Sequence, residues 1–234
     1  MDGVKVLTKD ANSIQENYRQ HEKIMHADRC AASSIVFKIG KRCFDVLGAL
    51  IGLIVLAPLF LIIALAIKIE DGGYAFYKQD RNGLNGKVFR MHKFRSMCMN
   101  AEQMHQSLLD KNELDGPAFK LKNDPRVTKV GHFIRRTSLD ELPQLINILK
   151  GEMSFVGPRP LPTYETEQCN DYQKQRMMVK PGLTCYWQCS GRNNISFDEW
   201  IELDLKYIRE ASLWTDFKIM CKTVISVISG DGAY

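Results

Sequence analysis

Two adjacent carboxylates, Asp140 and Glu141, stand at the head of the apolar stretch LPQLINIL, just behind Arg135 and Arg136. A carboxylate oxygen can attack phosphorus and form an acyl phosphate. A neighbouring carboxylate can shuttle a proton, and Mg²⁺ can bridge carboxylate and pyrophosphate. The arginines suit phosphate oxygens, and a helix N-terminus is itself an anion site. The pair also has a plainer use, because acids suit the positive end of a helix dipole.

Gly157-Pro158-Arg159-Pro160 is a second candidate. Prolines on either side hold the Arg159 guanidinium in one direction, which favours bidentate phosphate contact. A proline-rich corner with a solvated arginine is the alternative. Lys93 and Arg95 alternate at the end of a short aromatic run, placing both charges on one strand face for phosphates or lipid headgroups. Asp204 and Tyr207 share a helix face at i, i+3, and alone would be ordinary helix residues. His92, His105 and His132 are scattered, and no Ser-His-Asp pattern, P-loop or GxGxxG is present.

These groups need elements to hold them. Ser138 and Glu141 match the S-x-x-E capping pattern, so a helix should begin near Leu139, carry Pro143 in or near its first turn and close at Gly151. Residues 154–163, with three prolines, must be extended. Upstream, YAFYKQ and KVFRMHKF flank an Asn/Gly turn and predict a hairpin. Residues 97–110 have helical spacing, and 111–126, with Gly116-Pro117, read as loop. Residues 164–178 predict a helix, and LTCYWQC after Pro181-Gly182 a strand. Ser196 and Glu199 repeat the capping pattern and open a helix with Trp200, Leu203, Tyr207 and Ile208 on one face. A last helix carries Phe217, Met220, Val224 and Ile228.

From Val46 to Ile67 the chain is apolar without a single charge. About 20 such residues are enough to cross a bilayer as a helix. Pro58 near its centre removes a donor and clashes with the carbonyl of Ile54, favouring a sharp bend. Lys38, Lys41 and Arg42 precede the run, and Lys68, Lys78 and Arg81 follow it. Positive charge marks the cytoplasmic side. A kinked span and a broken helix returning to the same face both fit; a buried helix of a soluble core fits poorly at this length.

The 234-residue chain carries a formal charge of +5, much of it beside the apolar run, where it would meet anionic headgroups. No zinc-finger spacing, RNA-binding signature or basic recognition helix supports a nucleic-acid partner. Seven scattered cysteines do not make a disulfide framework, and free thiols in a reducing cytosol are expected. The polar first 35 residues do not read as a cleavable signal peptide.

In order, KRCFDVLGALIGLIVLAPLFLIIALAIKIEDGG, KFRSM, DPRVTKVGHFIRRTSLDELPQLINILKGEMSFVGPRP, VKPGLTCYWQCSGRN and WIELDLKYIREASLWTDFKI resemble the bacterial sugar transferase family of small monotopic phosphoglycosyl transferases. The resemblance covers about residues 38–228. It implies transfer of a phosphosugar from a UDP-sugar to undecaprenyl phosphate, giving undecaprenyl-diphosphate-sugar and UMP, for exopolysaccharide, capsule or O-antigen synthesis. It implies a helix-rich α+β chain in the bacterial inner membrane, with a polar tail (1–34), a re-entrant membrane helix broken at Pro58 (35–70) and a cytoplasmic catalytic domain (71–234) bearing a small β-hairpin. Amphipathic C-terminal helices, with Trp200 and Trp214, would lie on the membrane surface. Family members often carry Ser before the proline; Ala57 lacks that hydroxyl.

By the same resemblance Asp140 is the nucleophile and Glu141 its acid/base partner or a Mg²⁺-site residue, so both are the expected metal residues. Arg159 with Pro160 would bind the donor's phosphates or uridine. Lys93, Arg95 and Arg136 would position phosphate or make structural pairs, and Asp204 would add a further acid. Larger relatives carry four membrane helices and an extra domain upstream, so this chain reads as the catalytic module. Two rivals remain: a glycosyltransferase releasing UDP, for which no D-x-D motif is seen, and a membrane-anchored assembly factor without activity. Which UDP-sugar is used is open, with glucose or galactose favoured by resemblance, and a homodimer is compatible with the sequence.

Overall fold

The chain reverses where Asn85 (φ 54°) and Gly86 (φ 75°) take left-handed backbone, a geometry Asn and Gly tolerate best. This turn joins β1 (Phe76–Asn82) to β2 (Val88–Phe94) as an antiparallel hairpin with Tyr77 opposite Lys93 and Arg81 opposite Phe89. The hairpin expected from the alternating aromatic runs is therefore present. The computed structural model describes residues 34–112, 121, 123–189 and 195–229. The expected polar tail, except for Ser34, and the Gly116-Pro117 loop lie outside the described residues.

The apolar run forms α1 (Ile35–Val55) and α2 (Ala57–Asp71), bent by 60° at Leu56. Pro58 occupies the first turn of α2, where its missing N–H costs least. The ladder fails just upstream of it, close to the expected break. Among the described residues no single helix is long and apolar enough to cross a membrane; the bent pair together is.

One side of this pair packs on the rest of the chain. Ala49 joins Phe89, Met91, Leu145 and Met153, while Ile63 and Ile67 pack on Phe94 and Ile134. Burial of such side chains stabilises by about 1.5–3 kcal/mol for each large one. The other side leaves Ile51, Ile54, Leu61 and Ile62 at least 60% exposed. Polar contacts fasten both ends. Asp45 accepts from Ser154 Oγ (2.9 Å) and Phe155 N (3.0 Å). Glu70 accepts from Lys129 N (2.7 Å) at the start of α4 (Lys129–Arg136). Arg95 grips Asp71 with both guanidinium arms, Nη1 to Oδ2 at 2.6 Å.

The expected helix over residues 97–110 begins later, as α3 (Ala101–His105), and continues as a 3₁₀ turn. The helix expected from Leu139 is also split. Leu139–Gln144 is 3₁₀ and only Leu145–Lys150 is α-helical (α5), closed by Gly151 as expected. Pro143 has no N–H to return to the residue 139 carbonyl, so the first α turn cannot close. Next comes β3 (Ser154–Val156), followed by α6 (Thr163–Glu167) and α7 (Asp171–Lys174) in place of one helix over 164–178. The strand after Pro181 is short: β4 (Gly182–Thr184) pairs with β3 in parallel, and Trp187–Cys189 turns instead.

The Ser196–Glu199 capping box forms as expected and opens α8 (Phe197–Glu210). Its apolar face, Phe197, Trp200, Ile201, Leu205 and Ile208, packs on Leu161 and Cys169. Trp200 is thus a core residue, which corrects its expected place on the membrane surface. The last helix, α9 (Leu213–Ser229), does expose Trp214 and Phe217, and Leu213 touches α1 at Gly40. The six described cysteines are all free thiols.

Candidate active site

Ser138 ends the link from α4 in a left-handed conformation (φ 57°), unusual for a residue with a side chain. Its side chain makes no cap bond; its N–H bonds Arg135 O (3.0 Å). The capping box expected at Ser138 and Glu141 is therefore absent, because a left-handed Ser138 cannot present its hydroxyl as an N-cap does. The kink and the 3₁₀ turn that follows put Asp140 and Glu141 against β2.

Glu141 is clamped. Its Oε1 accepts from Lys93 Nζ at 3.1 Å and from Arg159 Nη2 at 2.7 Å. Burial alone would raise its pKa, but the charges of Arg159 and Lys93 outweigh that and hold the carboxyl below its usual range. Asp140 is the more buried of the two, yet has no side-chain hydrogen bond among the described residues. Burial, with the adjacent Glu141 charge, pushes its pKa up against the pull of Lys93, Arg135 and Arg159. The result is two neighbouring carboxylates with opposite shifts, Glu141 lowered and Asp140 raised. Such a split assigns different roles to chemically similar groups.

The arginine loop is held from two sides. Arg81 Nη1 donates to Pro160 O at 2.8 Å, and Arg176 Nη2 donates to Arg159 O at 2.7 Å. Arg176 is itself paired with Asp204 at 2.5 Å, both almost fully buried. Beneath the loop the backbones of Gly157 and Gly182 meet so closely that a Cβ on Gly182 would lie 2.1 Å from Gly157 N. Only glycine permits that approach.

The expected site residues thus divide. Asp140, Glu141, Lys93 and Arg159 come together. Pro160 contributes its carbonyl to Arg81. Asp204 stands behind the loop, reaching Arg159 through Arg176. Arg95 is committed to Asp71 at the end of α2. Arg136 lies on the exposed side of α4, whereas Arg135 turns inward, bonds Ser96 Oγ at 2.9 Å and feels the charge of Asp140. The inward arginine is therefore Arg135. Arg81 and Arg176 were missed altogether. The only sequence signal for Arg81 is its place on the face that β1 shares with Lys93.

Among the described residues no group of three or more His, Cys, Asp or Glu is arranged to hold a metal. Asp140 and the Oε2 of Glu141 supply at most two carboxylates. That number suits Mg²⁺, which usually takes one or two and completes its shell with water and substrate phosphates.

The family model described as bacterial sugar transferase matches residues 36–230, the dyad and both its cations included. The chain belongs to the bacterial sugar transferase family. It is 50% identical over 196 residues to the galactosyl transferase CpsE of Streptococcus agalactiae, covering 83% of this chain and 43% of the relative. It is 45% identical over 198 residues to the undecaprenyl-phosphate galactose phosphotransferase of Salmonella typhimurium, covering 83% and 41%. The exopolysaccharide production protein ExoY of Sinorhizobium fredii is 43% identical over 200 residues, covering 84% and 88%. The chain spans less than half the length of the first two of these sugar transferases, and most of ExoY.

Proposed function

We propose that this bacterial sugar transferase moves a sugar 1-phosphate from a UDP-sugar to undecaprenyl phosphate. The products are undecaprenyl-diphosphate-sugar and UMP, the first lipid-linked unit of an exopolysaccharide, capsule or O-antigen. The observation that carries the reading is the split dyad: a buried Asp140 with no side-chain hydrogen bond among the described residues, beside a Glu141 fixed by Lys93 and Arg159. The relatives' names support the acceptor and the phosphosugar.

In this reading an Asp140 oxygen attacks the phosphorus that bears the sugar. A carboxylate–phosphorus bond forms, the bond to UMP breaks, and UMP leaves with the electron pair. The undecaprenyl phosphate oxygen then attacks the same phosphorus and frees Asp140. Lys93, Arg135 and Arg159 surround the phosphates with positive charge where negative charge develops. Glu141 keeps Lys93 and Arg159 aimed and favours the charged form of each. Mg²⁺, if held by the two carboxylates, would neutralise pyrophosphate charge.

The membrane reading is a re-entrant pair whose exposed apolar side faces lipid, with the catalytic part on the cytoplasmic side. It is supported by the 60° bend and by contacts from both ends to one folded body. A site at headgroup height meets a lipid phosphate and a soluble nucleotide without moving either across the bilayer.

The test is nucleotide release from purified protein given Mg²⁺, undecaprenyl phosphate and a panel of UDP-sugars. The expected result is lipid-dependent UMP release, lost by a factor on the order of 10³ or more in Asp140→Asn. UDP release would mean glycosyl transfer. Release of neither nucleotide by folded protein would leave a non-catalytic assembly role.

A further inference from the structure

The dyad is not the only feature beside the hairpin. An open cleft of about 650 Å³ lies between β1 and α6, within the size range of small-molecule sites. Tyr77 and Gln79 of β1 line it, with Thr163 and Tyr164 of α6. Side chains two apart on a strand share a face, so Tyr77, Gln79 and Arg81 form one row. Tyr77 pairs directly with Lys93, the residue that clamps Glu141. Tyr77 therefore lines the cleft and stands opposite Lys93.

Arg81 joins the two. Its Nη2 donates to Gln79 Oε1 at 2.6 Å on the cleft side, and its Nη1 holds the Pro160 carbonyl on the Arg159 side. Its guanidinium is within electrostatic reach of Arg159 and Glu141 in one direction and of Tyr164 in the other. Arg81 Nε and Thr163 Oγ1 are buried without a bond among the described residues.

We propose that this cleft receives the nucleoside half of the donor, with Arg81 at the junction where its phosphates turn toward the dyad. The inference rests on the UDP-sugar reading above. Charge favours it: the cleft's lining is close to balanced, with Lys78 and Arg90 against Asp80, Glu102 and Glu167, so it suits an uncharged, hydroxyl-bearing group. The cations that suit phosphate, Lys93, Arg135 and Arg159, are at the dyad. Two tyrosine rings suit a flat base over a puckered hexose. Tyr77 is steadied by its hydroxyl, which donates to Glu102 at 3.1 Å, and Tyr164 is 44% exposed.

The experiment titrates UMP into the full chain in detergent, as wild type, Tyr164→Ala and Thr163→Val, with inorganic pyrophosphate and galactose 1-phosphate as parallel probes. Thermal melting checks that each variant is folded; Thr163→Val is nearly isosteric and guards against loss of fold. The expected result is UMP affinity weakened about tenfold in Tyr164→Ala, since base–aromatic stacks are of that worth. Pyrophosphate affinity and the KM for undecaprenyl phosphate stay at wild-type values, while the KM for the UDP-sugar rises. Unchanged UMP affinity in both variants, from a wild type that transfers phosphosugar, overturns the cleft alone. Loss confined to galactose 1-phosphate overturns it in favour of a hexose site. A wild type without lipid-dependent UMP release overturns the donor reading and this inference with it.

Discussion

A carboxylate that attacks phosphorus must be ionised at the moment of attack, yet Asp140 sits where burial favours its protonated form. The two opposing influences on it can be removed one at a time. Lys93 stabilises the ionised form, so Lys93→Met should raise the Asp140 pKa and move the acid limb of the rate profile to higher pH. Glu141 opposes ionisation, so Glu141→Gln should move that limb to lower pH. UMP release measured across pH with each residual activity checks both signs. Shifts in the same direction would mean that another group governs the limb. Under the proposed attack by Asp140, wild type should lose activity on acidification at a pH above the ordinary aspartate value of about 3.9. Residue type and adjacency made the dyad legible in the sequence. The choice between Arg135 and Arg136 was not, because neighbouring positions on a helix point about 100° apart and only the packed phase of α4 decides which turns inward.

At the scale of elements, the same four-residue pattern gives two outcomes. Ser196–Glu199 forms a capping box and a long helix; Ser138–Glu141 does not. The difference lies in the left-handed backbone of Ser138 and downstream, where Pro143 denies the second segment its first α turn. Hairpin β1–β2 was readable because alternation and an Asn/Gly turn are local signals. The β3–β4 pair was not, because it joins residues far apart through two glycines that must touch. The loop it carries depends on a buried charge pair that no spacing announces. Removing one partner of such a pair leaves the other charge unpaired and costs about 3–5 kcal/mol. Asp204→Ala should therefore destabilise by about that much in thermal or denaturant unfolding. The double change Asp204→Leu with Arg176→Met should recover a large part of the stability, yet not the activity, since Arg159 O would lose its donor. Full recovery of activity would show that the pair serves stability only.

For the whole molecule, the decisive relation is that both ends of the apolar pair are fastened to one folded body. Lys41, Arg42 and Asp45 near the start reach Val156, Ile148 and Ser154, while Glu70 and Asp71 at the end reach Lys129 and Arg95. A straight span would separate these two sets by about 30 Å of hydrocarbon and pull one of them off its partners. Ionisable groups left in the bilayer would add a further cost of several kcal/mol. In the proposed re-entrant arrangement the bend at Leu56 would remove both problems, because the chain would return to the face it left with its exposed isoleucines and leucines toward lipid. Single cysteines at Lys38→Cys and Tyr74→Cys, in a background with the native cysteines replaced, should therefore both react with an impermeant maleimide in inside-out vesicles. Neither should react in intact spheroplasts, and Leu61→Cys should stay unlabelled in both. Labelling of positions 38 and 74 from opposite sides would require a span, and the contacts that fasten one end of the pair would then have to break in the membrane.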